Sequence, residues 1–199
     1  MKKINTLRSI SGLKDIEVSW DDTVLLYIDF QNEYKDGILK LGHNGANALI
    51  QAKKLLEIAR SKAIPTFHIL HKASSASSVF NCESDMSNVI ETLQPSDNEY
   101  VIHKTMPNSF FNTELEELLQ LTGRKQIIIA GFMSHMCVSA TTIRAVELGY
   151  DVIICEDACA SRNLPDQNQD ELYAKIVHSV SMASLSDRYA TILKVANFA

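Results

Sequence analysis

The sequence predicts an α/β protein: a three-layer α/β/α domain around a six-stranded, mainly parallel, doubly wound sheet. Three observations lead there. Short β-branched runs alternate with longer helical stretches along the whole chain. Most of these runs are apolar continuously and not at alternate positions, as befits strands covered on both faces by crossover helices. The length of 199 residues, 46% hydrophobic and 22% charged, suits one domain able to bury a substantial core.

Taken in order, residues 1–22 precede the first strand, carry the only tryptophan, Trp20, and read as an N-terminal extension. TVLLYIDF (23–30) is the first strand. The spacing of Ala48, Ala52, Leu55, Leu56 and Ala59 predicts a helix over 44–62, and Pro65 marks the start of the second strand, IPTFHIL (64–70). Residues 72–99 are polar, Ser-rich and too long for an ordinary connection; they are expected to form a lid or an oligomer contact. YVIHK (100–104), KQIIIAG (125–131), YDVIICED (150–157) and YATILKV (189–195) complete the strands, with helices expected over 112–121, 135–148 and 169–186. Strand, helix, strand at this rhythm implies right-handed crossovers. No internal repeat or second domain is visible.

Composition excludes several classes of function. With 19 Lys and Arg against 24 Asp and Glu, a net charge of -5 and no basic cluster, the chain lacks the patch that nucleic-acid binding requires. The four cysteines, Cys82, Cys137, Cys155 and Cys159, form no CxxC pair and are too sparse for a disulfide framework, so they are expected to be thiols. The opening MKKINTLRSISGLKDIEVSW has no apolar run behind its basic residues, and no stretch reaches the roughly 20 apolar residues of a membrane helix. A cytoplasmic setting is therefore expected.

Open parallel sheets bind ligands beyond the carboxyl ends of their strands, where the strand order reverses. Three reactive side chains sit at such ends: Asp29, Lys104, and Cys137 just past the fourth strand. Cys137 falls in or beside the first turn of a helix, where the dipole and free N–H groups favour a thiolate and could hold an oxyanion. The plainer alternative is a small buried hydrophobe. Asp29 is either a turn cap or a carboxylate that takes and returns the thiol proton. Lys104 is either a solvated rim lysine or the cation that holds Asp29.

Together the segments DFQN (29–32), KTMPNSFFNT (104–113) and GFMSHMCVSATTIRAVELGYDV (131–152) resemble the isochorismatase-like cysteine hydrolases, which include amidases of the nicotinamidase and N-carbamoylsarcosine type. The similarity runs from about residue 20 to the end. It implies a catalytic Asp29–Lys104–Cys137 triad, an oxyanion hole from the backbone N–H groups of Ser134 and Cys137, and a cis peptide at Met133–Ser134 that turns one of those groups inward. PNSFFNTEL, GFMSHMCVSATTIRA, EDACASRNL and VHSVSMASL further resemble the branch containing streptothricin hydrolase, which opens a cyclic amide.

One departure matters. Where nicotinamidases of the family hold a metal, this chain reads HILHKASSASS, with His68 and His71 but no nearby Asp. If the strand continues, their odd separation sends the rings to opposite faces. No metal and no cofactor are expected. His71 is either a pocket residue or a strand-end histidine; His43, His103 and His178 read as structural; Cys155 and Cys159 read as packing. Gln31, His71, Ser109, Phe110, His135 and Met136 are the expected substrate contacts.

The expectation is hydrolysis of an amide or related C–N bond of a small molecule through a thioester on Cys137. Vinyl-ether hydrolysis of the isochorismate kind, or noncatalytic binding or redox sensing in the same cleft, are the alternatives. The resemblance also implies a homo-oligomer, a dimer or tetramer.

Overall fold

In the computed structural model, which describes residues 4–198, the strands that carry the continuous apolar runs lie side by side in one sheet. They are β1 (Thr23–Ile28), β2 (Thr66–His71), β3 (Tyr100–Lys104), β4 (Gln126–Phe132), β5 (Asp151–Ala160) and β8 (Ala190–Leu193), in the order β3-β2-β1-β4-β5-β8. Every pairing is parallel. The order reverses between β1 and β4, so the crevice expected to bind ligand lies beyond the ends of those two strands.

Helices cover both faces, which is why β1 and β4 are buried along their whole lengths. One face packs on α3 (Gly42–Ser61) through Ala48, Ala52, Leu55, Leu56 and Ala59, the stripe read from the sequence. The other packs on α4 (Leu115–Thr122), α5 (Ser139–Glu147) and α6 (Ala174–Arg188) through Leu115, Leu119, Ala145, Met182 and Leu185. Two single-turn helices, α1 (Leu7–Ile10) and α2 (Asn32–Lys35), precede α3.

The N-terminal extension binds across the amino ends of the strands. Gln126 receives the Ser19 N–H and Thr23 hydroxyl and donates to the Glu17 carbonyl, while Trp20 meets Phe198 edge-on at 6.0 Å.

Three element boundaries differ from expectation for local reasons. The helix expected over 112–121 begins at Leu115, because Asn112 holds a left-handed φ of 52° and Thr113 receives the Leu115 N–H. The helix expected over 169–186 begins at Ala174, because Asp166 Oδ1 receives the N–H groups of Asn168 and Asp170 and closes a small hairpin. That hairpin pairs β6 (Leu164–Pro165) with β7 (Glu171–Leu172) and was not foreseen. The helix expected over 135–148 is split: Ser134–Val138 forms a π turn before α5.

Residues 72–99 fold back on their own chain. Phe80, Val89, Ile90 and Leu93 are buried, and main-chain hydrogen bonds run from Ile90 N–H to the Phe30 carbonyl and from Asn32 N–H to the Asn88 carbonyl. Near the base, His68 and a bidentate Arg60 both bind Glu99.

Candidate active site

The end of β1 does not run straight on. Asp29 takes a left-handed φ of 56°, tolerated by Asp better than by most residues, and its backbone turns between two hydrogen bonds of 2.8 Å, from Asp29 N–H to the Ile69 carbonyl and from Gln31 N–H to its own. The last residue of β3 arrives from the other side of β2. Lys104 Nζ lies 2.8 Å from Asp29 Oδ2 and 3.3 Å from Cys137 Sγ. Asp29, Lys104 and Cys137 are 0%, 1% and 3% exposed. Lys104 is therefore no solvated rim lysine.

Cys137 reaches this point because β4 approaches β1 unusually closely. Gly131, paired with Ile28, has a φ of 147°, and a Cβ there would run into the Ile28 carbonyl oxygen, so only glycine fits. The β4–β5 register shifts at the same place, between Ile129 and Gly131. The chain then passes through a cis peptide at Phe132–Met133. This corrects the expected Met133–Ser134: Ser134 already begins the π turn, so the reversal is made one bond earlier. In that turn the Met133 carbonyl accepts from Met136 and Val138 and passes over the Cys137 N–H between them.

The electrostatics overturn one expectation. The Cys137 thiol is pushed well above its ordinary pKa, first by burial and then by the charge of Asp29, which Lys104 only partly opposes. Burial and the Asp29 charge both oppose the helix dipole, which alone would favour the thiolate. Cys137 thus rests as a thiol, joined to the Asp29 carboxylate through the Lys104 ammonium that bonds both. Burial works against the Lys104 charge, but it is outweighed, first of all by the Asp29 carboxylate, and the lysine is raised above its usual value. Asp29 Oδ1 is buried with no hydrogen-bond partner.

The expected contact residues divide into two groups. His71 is at the site: Nδ1 lies 3.4 Å from Lys104 Nζ, the ring packs at 4.9 Å on Phe80 from the 72–99 segment, and burial followed by the Lys104 charge lowers its pKa, keeping it neutral. Phe110 shares the apolar layer of Cys137, and Met136 is 40% exposed beside it. His135 hydrogen-bonds Ser161 through Nδ1 and keeps a buried Nε2 without a partner.

Gln31 and Ser109, by contrast, are committed to the fold. The Gln31 amide accepts from His71 N–H and donates to the His71 and Ser87 carbonyls, and Ser109 bonds Thr141 through both hydroxyl and N–H. Both side chains spend their polar groups on pinning loops, which replaces the substrate contacts expected of them.

Among the described residues no group of three or more His, Cys, Asp and Glu is arranged to hold a metal, and His68 is engaged with Glu99. All four cysteines are free; Cys155 and Cys159 are buried, Cys155 donating to Asp157 Oδ1 at 3.4 Å and Cys159 lying opposite Gly131. No helix among the described residues is long and apolar enough to cross a membrane.

Arg162 was missed. It follows β5, has a buried Nε with no partner, and its charge helps lower the His135 pKa after burial has done so. Its position just past the carboxyl end of a strand was the available signal.

Residues 23–188 match the isochorismatase domain. The chain belongs to the isochorismatase family. It is 41% identical over 173 residues to the uncharacterized isochorismatase family protein YddQ of Bacillus subtilis, covering 85% of this chain and 94% of that one. It is 32% identical over 190 residues to the secreted isochorismatase effector Isc1 of Verticillium dahliae, covering 96% and 97%. A crystal structure of an isochorismatase from Pseudomonas putida superimposes with a TM-score of 0.92 over 98% of both chains at 34% identity. Streptothricin hydrolase of Streptomyces noursei is a more distant relative, 29% identical over 141 residues that span half its length. The protein is an isochorismatase-family hydrolase with the α/β architecture read from its sequence.

Proposed function

We propose that this hydrolase cleaves an amide or related C–N bond of a small molecule through a thioester on Cys137. The observation that carries the reading is one buried lysine ammonium placed 2.8 Å from the Asp29 carboxylate and 3.3 Å from the Cys137 sulfur. Asp29 accepts the thiol proton as sulfur bonds to the carbonyl carbon, so a buried thiolate never has to persist. The oxyanion is held by the Ser134 and Cys137 N–H groups. Asp29 returns the proton to the departing nitrogen, leaving a thioester. It then takes a proton from water as the hydroxyl adds, and collapse releases the acid and restores the thiol. Lys104 balances the carboxylate charge throughout. His71 packs on Phe80 beside Lys104, and Phe110 and Met136 lie on the Cys137 side, which supports these four as the pocket wall. The unpartnered nitrogens of His135 and Arg162 support a substrate with an acceptor group, a carbonyl or carboxylate, beside the scissile bond. Cytoplasmic placement is supported by cysteine usage alone.

A homo-oligomer, dimer or tetramer, belongs to the same reading, supported by the exposed Tyr173, Ile176 and Val180 around the outer face of α6. The test of the chemistry is Cys137→Ala in a screen of amides, ureas and lactams, with mass spectrometry of wild type trapped during turnover. Loss of turnover in a folded variant and an acyl adduct on Cys137 are expected. Turnover without an adduct would favour vinyl-ether hydrolysis of the isochorismate kind, and turnover by Cys137→Ala would sink the covalent scheme.

A further inference from the structure

Ser134 is buried and held at both ends. Its carbonyl accepts from the Ser139 hydroxyl at 2.6 Å, and its own hydroxyl lies 2.8 Å from Nδ1 of His178 on α6. A serine in the first turn of a helix usually bonds its own neighbouring backbone. This one reaches instead to a residue 44 positions on, in a different helix. The π turn around it is irregular: the Met133 carbonyl accepts from both the Met136 and the Val138 N–H. Those two bonds hold the peptide plane that carries the Ser134 N–H, and the Ser134 side chain adds a further anchor outside the turn.

His178 is placed to be such an anchor. It is half-buried, and burial lowers its pKa despite an opposing effect of Glu156, so the ring is neutral near pH 7. A neutral Nδ1 can accept the Ser134 hydroxyl proton when Nε2 carries the ring hydrogen. The ring also borders a cavity of about 220 Å³ with Asn44, Asn47, Glu156, Asp157 and Lys175, so its other edge has room for polar company.

We propose that His178 is a positioning residue: by accepting the Ser134 hydroxyl at Nδ1 it fixes the Ser134 peptide group that, with Cys137, receives the oxyanion. This rests on the thioester reading given above. It replaces the purely structural role that the sequence suggests for this histidine.

The experiment compares two reactions of Cys137, each followed by mass spectrometry of the peptide that contains it. Acylation by p-nitrophenyl acetate forms a sulfur–carbon bond through a tetrahedral oxyanion and expels p-nitrophenolate, the thiol proton passing to Asp29. Alkylation by iodoacetamide forms a sulfur–carbon bond and expels iodide, with no oxyanion. In His178→Ala the ratio of acylation to alkylation should fall about tenfold, a fraction of the roughly hundredfold or more that follows outright loss of one oxyanion donor. His178→Asn, whose Oδ1 can stand where Nδ1 stood, should restore the ratio to within about threefold. Adding His178→Ala to Ser134→Ala should cost nothing further.

An unchanged ratio in His178→Ala, or a loss shared equally by both reactions, overturns the proposal while leaving the thioester reading intact. Absence of wild-type acylation removes both together. Should His178→Ala fail to fold, His178→Gln, which displaces the acceptor by one bond, takes its place, with the same ratio deciding.

Discussion

Replacing Lys104 by methionine tests the electrostatic centre of the site. Both side chains of the Lys104–Asp29 pair are 0% exposed, and the ammonium is the only cation bonded to that carboxylate among the described residues. Methionine keeps the length of the side chain and fills the space, so the packing loss is small. Removing one member of a buried pair nevertheless costs about 3–5 kcal/mol, because the remaining charge is left without a partner. The chain can lessen this only by protonating Asp29 in the folded state. The folded variant then holds one proton more than its unfolded form, and its stability falls by about 1.4 kcal/mol for each pH unit above the carboxylate range. The fall ends once the full cost of about 3–5 kcal/mol is reached, so between pH 5.5 and 8.5 the gap to wild type should widen by about 1–3 kcal/mol and then level off. Urea unfolding of both proteins at three pH values measures this directly. Iodoacetamide labelling of Cys137 should also slow, since Lys104 is the group that opposes the upward push on the thiol. A gap below about 1 kcal/mol that stays flat with pH would refute the buried, compensated pair.

Two further perturbations follow from the structure. Burial alone would raise Glu99, but Arg60, the Ser96 N–H and His68 bring it down to about 2. A carboxyl lowered on folding stabilises above about pH 4.5, and that contribution is lost as pH falls toward 2. Glu99→Gln should lose about 1–2 kcal/mol at pH 7, after allowing for solvent around Arg60, with the gap closing as pH drops from 4.5 to 3; a constant gap in urea unfolding would contradict this. Gln31→Leu leaves the His71 N–H and the Ser87 carbonyl without their partners, costing about 2–4 kcal/mol and lowering Tm by roughly 5–15 °C. Limited proteolysis should then cut first within residues 72–99, and an unchanged cleavage pattern would show that Gln31 does not pin that segment.

Much of the fold was legible because it is written in local patterns. Continuous apolar runs such as LLYI and IIIA marked strands covered on both faces, and the Ala/Leu stripe of 44–62 marked the helix that covers one of them. Helix starts at 112 and 169 were misread because a left-handed Asn112 and an Asp166 turn act through single dihedrals and hydrogen bonds, which periodicity does not register.

The sequence by itself determined the domain class, the strand ends at which the reactive residues sit, and the family to which Asp29, Lys104 and Cys137 point. Only the tertiary structure decided what those residues are electrically and which neighbours serve them. Asp29 and Lys104 are 75 positions apart, and the proton on Cys137 depends on burial and on two charges whose distances no local pattern encodes. Gln31 and Ser109 looked like substrate contacts because they are polar and near the motifs, yet their hydrogen bonds close on the fold. His178 looked inert because its partner, Ser134, lies in another element altogether. Distances between sequence-distant groups in a low-dielectric interior set these roles, and folding alone brings those groups within reach.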